Sequence, residues 1–263
     1  MLKGMYRVTI AIVLMLLAPA WPSAAQTAAG RVTVLAELFT SEGCSSCPPA
    51  DRMLELLAHE PPIDGVDVII MSEHVTYWDH QGWRDPFGSS TFTTRQQAYG
   101  DLFKLESVFT PQLVIDGTTQ IVGTDVAGLK AALAKSAAKA KPWLAVVLRE
   151  DGPRGLVATA SVPGVADAAG AELVWAVTED GLEVEVTRGE NARRTLRHAG
   201  VVRWFTTRKI GDGAAATIKI PLRDAWKRDH LRVVAFVQST RTREVLSVAS
   251  VSVPARRSPD TPR

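Results

Sequence analysis

The chain holds two cysteines, Cys44 and Cys47, three residues apart. A sulfur pair at that spacing can close a small disulfide, exchange it with a partner's thiol, or give two soft ligands to a metal ion. Exchange needs a thiolate near neutral pH and a second thiol close enough to resolve the mixed disulfide. The residues after the pair favour both. Pro48 and Pro49 follow Cys47, and Met53, Leu54, Leu56 and Leu57 then recur at helical spacing. Prolines suit the first helical positions, where an amide proton would go unused. The motif is therefore expected at a helix N-terminus, whose unpaired amides and positive dipole end favour a thiolate. A free cysteine titrates near about 8.5, and such settings lower it to roughly 3.5–7.5. Cys44, ahead of the helix, is expected to be exposed and nucleophilic, with Cys47 one turn deeper as the resolving thiol. Closing so small a loop removes little chain entropy, so stabilisation alone is a poor reason for the pair.

Other residues are candidates by type and position. Glu37 interrupts the apolar run 32–39 just ahead of the motif. A buried carboxylate near the second cysteine would relay its proton, with a pKa raised by desolvation. The competing reading is a Glu37 that faces solvent or pairs with a base, because a buried unpaired carboxylate is costly. His74, Tyr77, Trp78, Asp79 and His80 crowd one segment, either lining a substrate groove or serving as core aromatics with a solvated edge. His74 with both cysteines is the set that would hold copper or zinc, although such sites ordinarily have a second cysteine pair. Arg188, Arg193, Arg194, Arg197 and His198 form a basic cluster expected on a solvated hairpin, with an anion or partner site as the alternative.

The elements that must position these groups follow from periodicity. Residues 32–39 and 66–71 are apolar and β-branched, and the helical pattern between them stops before Pro61-Pro62. Strand, helix, strand implies a parallel pair joined by a right-handed crossover. Phe92, Arg95, Gln96, Tyr99, Leu102 and Phe103 make one face of a helix over 91–105. Thr110-Pro111 opens a strand at 113–115, which turns at Asp116-Gly117 and returns over 120–122. Asp125 suits the N-cap of a last helix, 126–139. After Lys139–Pro142 the pattern holds strands only, at 144–149, 156–161, 172–178, 183–187, 201–206, 217–220, 231–238 and 245–253. Short strands at regular spacing predict a sandwich of antiparallel sheets.

Composition bounds the rest. The 263 residues are 46% hydrophobic, enough for one large core or two smaller ones. Lys3 and Arg7 precede an uncharged apolar run over 8–18, and Ser23-Ala24-Ala25 offers a small-residue cleavage site. The run is too short to span a bilayer, so residues 1–25 are expected to be a cleaved secretory signal. Losing Lys3 and Arg7 leaves basic and acidic residues equal in number, which argues against nucleic acid or an anionic membrane surface as partner. Export places the chain where disulfides persist.

Glu37-Leu38-Phe39-Thr40-Ser41-Glu42-Gly43-Cys44-Ser45-Ser46-Cys47-Pro48-Pro49-Ala50-Asp51 resembles an uncharacterised family of secreted bacterial proteins, DUF1223. So do His74-Val75-Thr76-Tyr77-Trp78-Asp79, Gly82-Trp83-Arg84-Asp85-Pro86-Phe87, the segment 109–117 around Thr110-Pro111, and Arg188-Gly189-Glu190-Asn191 with Arg194-Thr195-Leu196. Residues 30–140 also resemble the thioredoxin-like superfamily, but with Ser-Ser rather than Gly-Pro between the cysteines and no tryptophan before the first of them. That resemblance implies a cis bond before Pro111, which would face the cysteines and present its backbone to an extended substrate, with Thr110, His74, Tyr77 and Trp78 lining the approach. The expected fold is α/β: a thioredoxin-like domain over 26–140, then an all-β sandwich-like accessory domain over 143–253 and a disordered tail over 254–263. The accessory domain is expected to bind a partner or to restrict access to the active face. The expected function is thiol–disulfide exchange on periplasmic or secreted proteins that carry thiols or disulfides. No organic cofactor or stable membrane insertion is implied, and no feature specifies an oligomeric state. The alternatives are a non-catalytic interaction module with a structural disulfide and a copper- or zinc-handling protein.

Overall fold

The computed structural model describes residues 31–60, 62–161, 170–210 and 215–255. The expected signal segment 1–25 and the tail beyond 255 lie outside the described residues. Strand β1 (Val32–Thr40) and strand β2 (Val66–His74) pair in parallel, Val32 opposite Val66 and Thr40 opposite His74, with helix α1 (Pro48–His59) as the crossover. Helix α2 (Ser90–Phe103) begins at Ser89, whose hydroxyl accepts the amide of Thr91, and stops at a left-handed Lys104. Strand β3 (Gln112–Ile115) runs antiparallel to β1 and turns into β4 (Thr119–Val122). Helix α3 (Val126–Ala137) starts at Asp125, whose carboxylate accepts from the Gly128 amide.

The strands beyond residue 142 are β5 (Ala145–Glu150), β6 (Gly155–Ser161), β7 (Ala171–Glu179), β8 (Leu182–Val186), β9 (Arg194–His198), β10 (Val201–Lys209), β11 (Ala215–Pro221), β12 (Leu231–Ser239) and β13 (Val245–Ser252). They correct the expected fold. A thioredoxin-like α/β domain followed by a separate sandwich does not form. The described residues hold more strand than helix, 43% against 19%, and one mixed eight-stranded sheet runs through them in the order β13-β12-β7-β10-β2-β1-β3-β4. β10 joins β2 in parallel at Val201 and Ser72, and the Ser72 amide donates to the Gly200 carbonyl at 2.7 Å. β11-β6-β5 form a second sheet, and β8 and β9 a two-stranded sheet of their own.

Alternation along β1 sorts the layers. Val34, Ala36 and Leu38 pack with Leu54 and Leu57 of α1 and with Leu129 and Leu133 of α3. Leu35 points the other way, into a cluster with Phe92 of α2, Val174, Ala176, Val234 and Phe236. Helix α2 thus lies over strands from both halves of the chain. On the face shared by α1 and α3, the three-stranded sheet covers β7, β12 and β13 around the fully buried Trp175. Each large apolar side chain buried in these layers contributes about 1.5–3 kcal/mol. Among the described residues no helix is long and apolar enough to cross a membrane.

Candidate functional site

Cys44 and Cys47 are joined as a disulfide, Cα to Cα 5.5 Å, at the start of α1. Cys47 is the N-cap, Pro48 and Pro49 fill the first helical positions, and the Cys47 carbonyl accepts the amides of Ala50 and Asp51. The loop ahead of the pair is pressed against Trp78. A Cβ on Gly43 would come within 2.9 Å of the Trp78 Cβ, so this position admits no side chain. The Trp78 indole donates to Thr110 Oγ1 at 2.8 Å, and the Tyr77 hydroxyl donates to Gln96. The Thr110–Pro111 bond is cis. The Thr110 carbonyl accepts from the Ser46 hydroxyl at 3.4 Å, and that hydroxyl lies 3.4 Å from Cys44 Sγ. Thr110, Trp78 and Ser46 therefore gather beside the disulfide, with Tyr77 adjoining.

Cys44 is not exposed as its place before the helix led us to expect. Both cysteines have 0% relative exposure, while Ser45 and Ser46 face solvent. Part of the enclosure comes from the loop between β8 and β9, about 150 residues downstream. Asn191, itself fully buried, donates through Nδ2 to the carbonyls of Glu42 (2.8 Å) and Cys44 (2.9 Å). Glu190 accepts the Ser45 amide at 3.0 Å, and the Ser45 hydroxyl together with this amide holds its carboxyl below the usual range.

Beneath the loop lies a cluster of ionisable side chains, none more than 5% exposed: Glu42, Asp51, His74, Asp85 and His198. Glu42 accepts from the Trp83 indole at 2.7 Å and meets His198 Nε2 at 3.1 Å. Asp85 accepts the Glu42 amide at 2.8 Å and meets His74 Nδ1 at 2.7 Å. The two imidazoles stand edge to face, 4.9 Å between centroids. Burial opposes charge on His74, but Asp85, Asp51 and Glu42 outweigh it and raise its pKa. Burial likewise works against ionised Asp85; His74 and the amides of Glu42 and Phe87 prevail and bring it to about 2. Asp51 differs. Burial pushes its pKa up despite the two histidines, and its Oδ1 has no hydrogen-bond partner. It sits four residues after Cys47, one helical turn along α1.

Glu37, the expected relay, lies elsewhere. Its neighbours in sequence Ala36 and Leu38 face α1, so Glu37 faces α2, on the opposite side of the sheet. There Arg95 donates to it at 2.7 Å and Tyr99 at 2.7 Å. Arg95 also reaches Gln238 and lies over the rings of Tyr99, Phe205 and Phe236. Glu73 shares the pocket, and burial with Glu37 alongside pushes its carboxyl well up. The paired-carboxylate alternative describes Glu37, and the buried carboxylate on the Cys47 side is Asp51. The sequence signal for Asp51 was available: an acidic residue in the first turns of an amphipathic helix, at the i+4 position from Cys47. His198 had none. Its basic neighbours Arg194 and Arg197 are exposed as expected, but Leu196 and His198 alternate inward from β9.

His74 approaches Asp85 and His198, not a three-ligand site with sulfur. Among the described residues no group of three or more His, Cys, Asp or Glu is arranged to hold a metal ion.

Residues 35–238 match a family described as a protein of unknown function, DUF1223. A crystal structure of an Agrobacterium tumefaciens protein is similar over 89% of this chain and 100% of its own, with TM-score 0.66 and 24% identity. HBP35 of Porphyromonas gingivalis is similar over 90% of this chain and 82% of its own, with TM-score 0.56 and 16% identity. At these identities the likeness is one of fold. No curated protein matches.

Proposed function

The chain belongs to the DUF1223 family, and since that membership names no reaction, we propose from the site itself that Cys44 and Cys47 exchange their disulfide with thiols of exported proteins. Export, to the periplasm or beyond the cell, rests on the residue pattern of the first 25 positions. One observation carries the reading: the disulfide stands at a helix N-terminus one turn from Asp51, a buried carboxylate with an unpartnered oxygen. A purely structural disulfide has no use for such a neighbour, and a buried carboxylate with one oxygen unpaired is costly to keep.

The chemistry balances as follows. A partner thiolate attacks Cys44 Sγ, the Cys44–Cys47 bond breaks, and Cys47 leaves with the electron pair. Asp51 gives its proton to the Cys47 thiolate. A second thiolate of the partner then attacks the partner's own sulfur in the mixed disulfide and displaces Cys44 as a thiolate, so that the partner gains a disulfide and this pair gains two electrons. Solvent takes the two protons the partner's thiols gave up and returns one to Asp51 and one to Cys44. Run backwards, Asp51 takes the Cys47 proton and the new thiolate resolves the mixed disulfide. Thr110 and Trp78 flank the approach, where an extended partner would lie.

The test is capture with Cys47→Ser in cells that export the protein. Mixed disulfides through Cys44, reversed by reductant and absent from the Cys44→Ser/Cys47→Ser double variant, are the expected result. A blank lane at good expression would defeat the proposal. The complete burial of both cysteines favours a second reading, an interaction module with a permanent disulfide. That reading requires a reduction potential below about −300 mV and no turnover.

A further inference from the structure

We propose that the loop 187–193 is a displaceable cover, holding the place on the motif that a partner polypeptide must take to reach Cys44. The inference rests on the exchange reading for its purpose, because only a disulfide that must be reached needs a cover that can leave.

Beside the close packing of Gly189 against Gln81 and Trp83, the loop's attachments are polar and specific. β8 and β9 pair only with each other, from Leu182–His198 to Val186–Arg194, and belong to neither larger sheet. The hairpin can therefore move without breaking a rung of the eight-stranded sheet. What ties its loop to the motif is polar and directed at backbone: Asn191 Nδ2 to the carbonyls of Glu42 and Cys44, and Glu190 to the Ser45 amide. Arg194 fixes the Asn191 side chain by donating to its Oδ1 at 3.0 Å. A backbone carbonyl and a backbone amide flanking the reactive sulfur are the groups that an extended chain would use to dock. The loop satisfies both with side chains.

Farther from the loop tip, His198 on Glu42 and the buried Leu196 anchor the hairpin, and the buried Val186, opposite Arg194, marks the rung at which the loop begins. The tip can thus lift while the base stays. The occupant that replaces it is an extended polypeptide bearing a thiol or a disulfide, which offers an acceptor to Ser45 and a donor to the Cys44 carbonyl.

The experiment measures how fast dithiothreitol reduces the Cys44–Cys47 disulfide in the intact mature protein, by alkylating and counting free thiols over time. Each lost hydrogen bond should favour the open form by a few-fold to tenfold. Asn191→Ala is expected to speed reduction about tenfold and Glu190→Ala about threefold, with thermal unfolding still cooperative. Rates within a factor of two of the parent protein in both variants would overturn the cover. Glu190 is at the surface, so its variant keeps the test alive should Asn191→Ala fail to fold. These readouts need no natural partner. Failed trapping with faster reduction in the variants would sink exchange but keep the cover, whereas successful trapping with unchanged reduction would do the reverse.

Discussion

At Asp85 and His74 a single buried contact decides how the site answers acid. Asp85 is held at about 2 in the folded chain, against an ordinary carboxylate value near 3.8. A depressed acid contributes stability that is complete above its unfolded pKa and is lost as pH falls through its folded one. The contribution should fade between about pH 4 and pH 2, and a shift of this size corresponds to roughly 2 kcal/mol. His74 has its pKa raised by the same partner, so its share is full below the unfolded value near 6.5 and declines as pH rises through the folded value. The two shifts describe one contact and are not added. Asp51 and Glu73 act in the opposite sense to Asp85: with raised values they cost stability once pH exceeds their unfolded pKa. Urea unfolding from pH 2 to 8 should show Asp85→Asn losing about 2 kcal/mol at pH 6 and converging on the parent near pH 2. Equal losses at both ends would exclude the ion pair as the cause. Residue types here were legible from the sequence, and their partners were not. Cys44 and Cys47 announced themselves by spacing, whereas the role of Glu37 turned on which sheet face α1 covers, a fact that alternation alone leaves undecided.

Among the elements, the turn between β3 and β4 sits directly against the main chain of the β12–β13 hairpin. Asp116 accepts the Leu35 amide on Oδ1, while Ser136 and Lys141 reach its Oδ2. Gly117 adopts φ +69°, and a Cβ there would lie 1.8 Å from the Arg243 carbonyl oxygen. The next link is the Val245 amide on the Asp116 carbonyl at 2.9 Å. Gly117→Ala therefore combines a left-handed backbone with a collision against main chain that cannot swing away. It is expected to cost at least about 3 kcal/mol, read as a fall in the unfolding midpoint. A loss under about 1 kcal/mol would mean that this turn is not seated against the β12–β13 hairpin in solution. Asp116-Gly117 was readable as a hairpin turn from its dipeptide, and so, among the described residues, were most strands and the three α-helices to within a few residues. β9 was hidden because Arg194, Thr195 and Arg197 dilute its two inward residues.

Across the whole molecule, the decisive feature is the single sheet that continues past the compositional break at 139–142. β10 covers what would be an open edge of β2, and Phe92 of α2 packs in one cluster with residues of β7, β10 and β12. Arg95 also has Gln238 and two aromatic rings from the later strands. A fragment over 26–140 should thus lack cooperative thermal unfolding and should aggregate through the exposed edge. A sharp transition and dispersed amide signals from that fragment would refute this. Sequence pattern reports which strands exist, but strand neighbours hundreds of ångströms of extended chain apart leave no mark on local periodicity. That is why two successive domains were expected where one continuous sheet stands.

The bonds from Asn191 join Cys44 to a residue 147 positions later. Any chain that emerges from its N-terminus will therefore bring its two sulfurs into the open long before their roof arrives. Whatever first oxidises Cys44 and Cys47 can do so during that interval, on a growing chain, without having to prise apart a finished one.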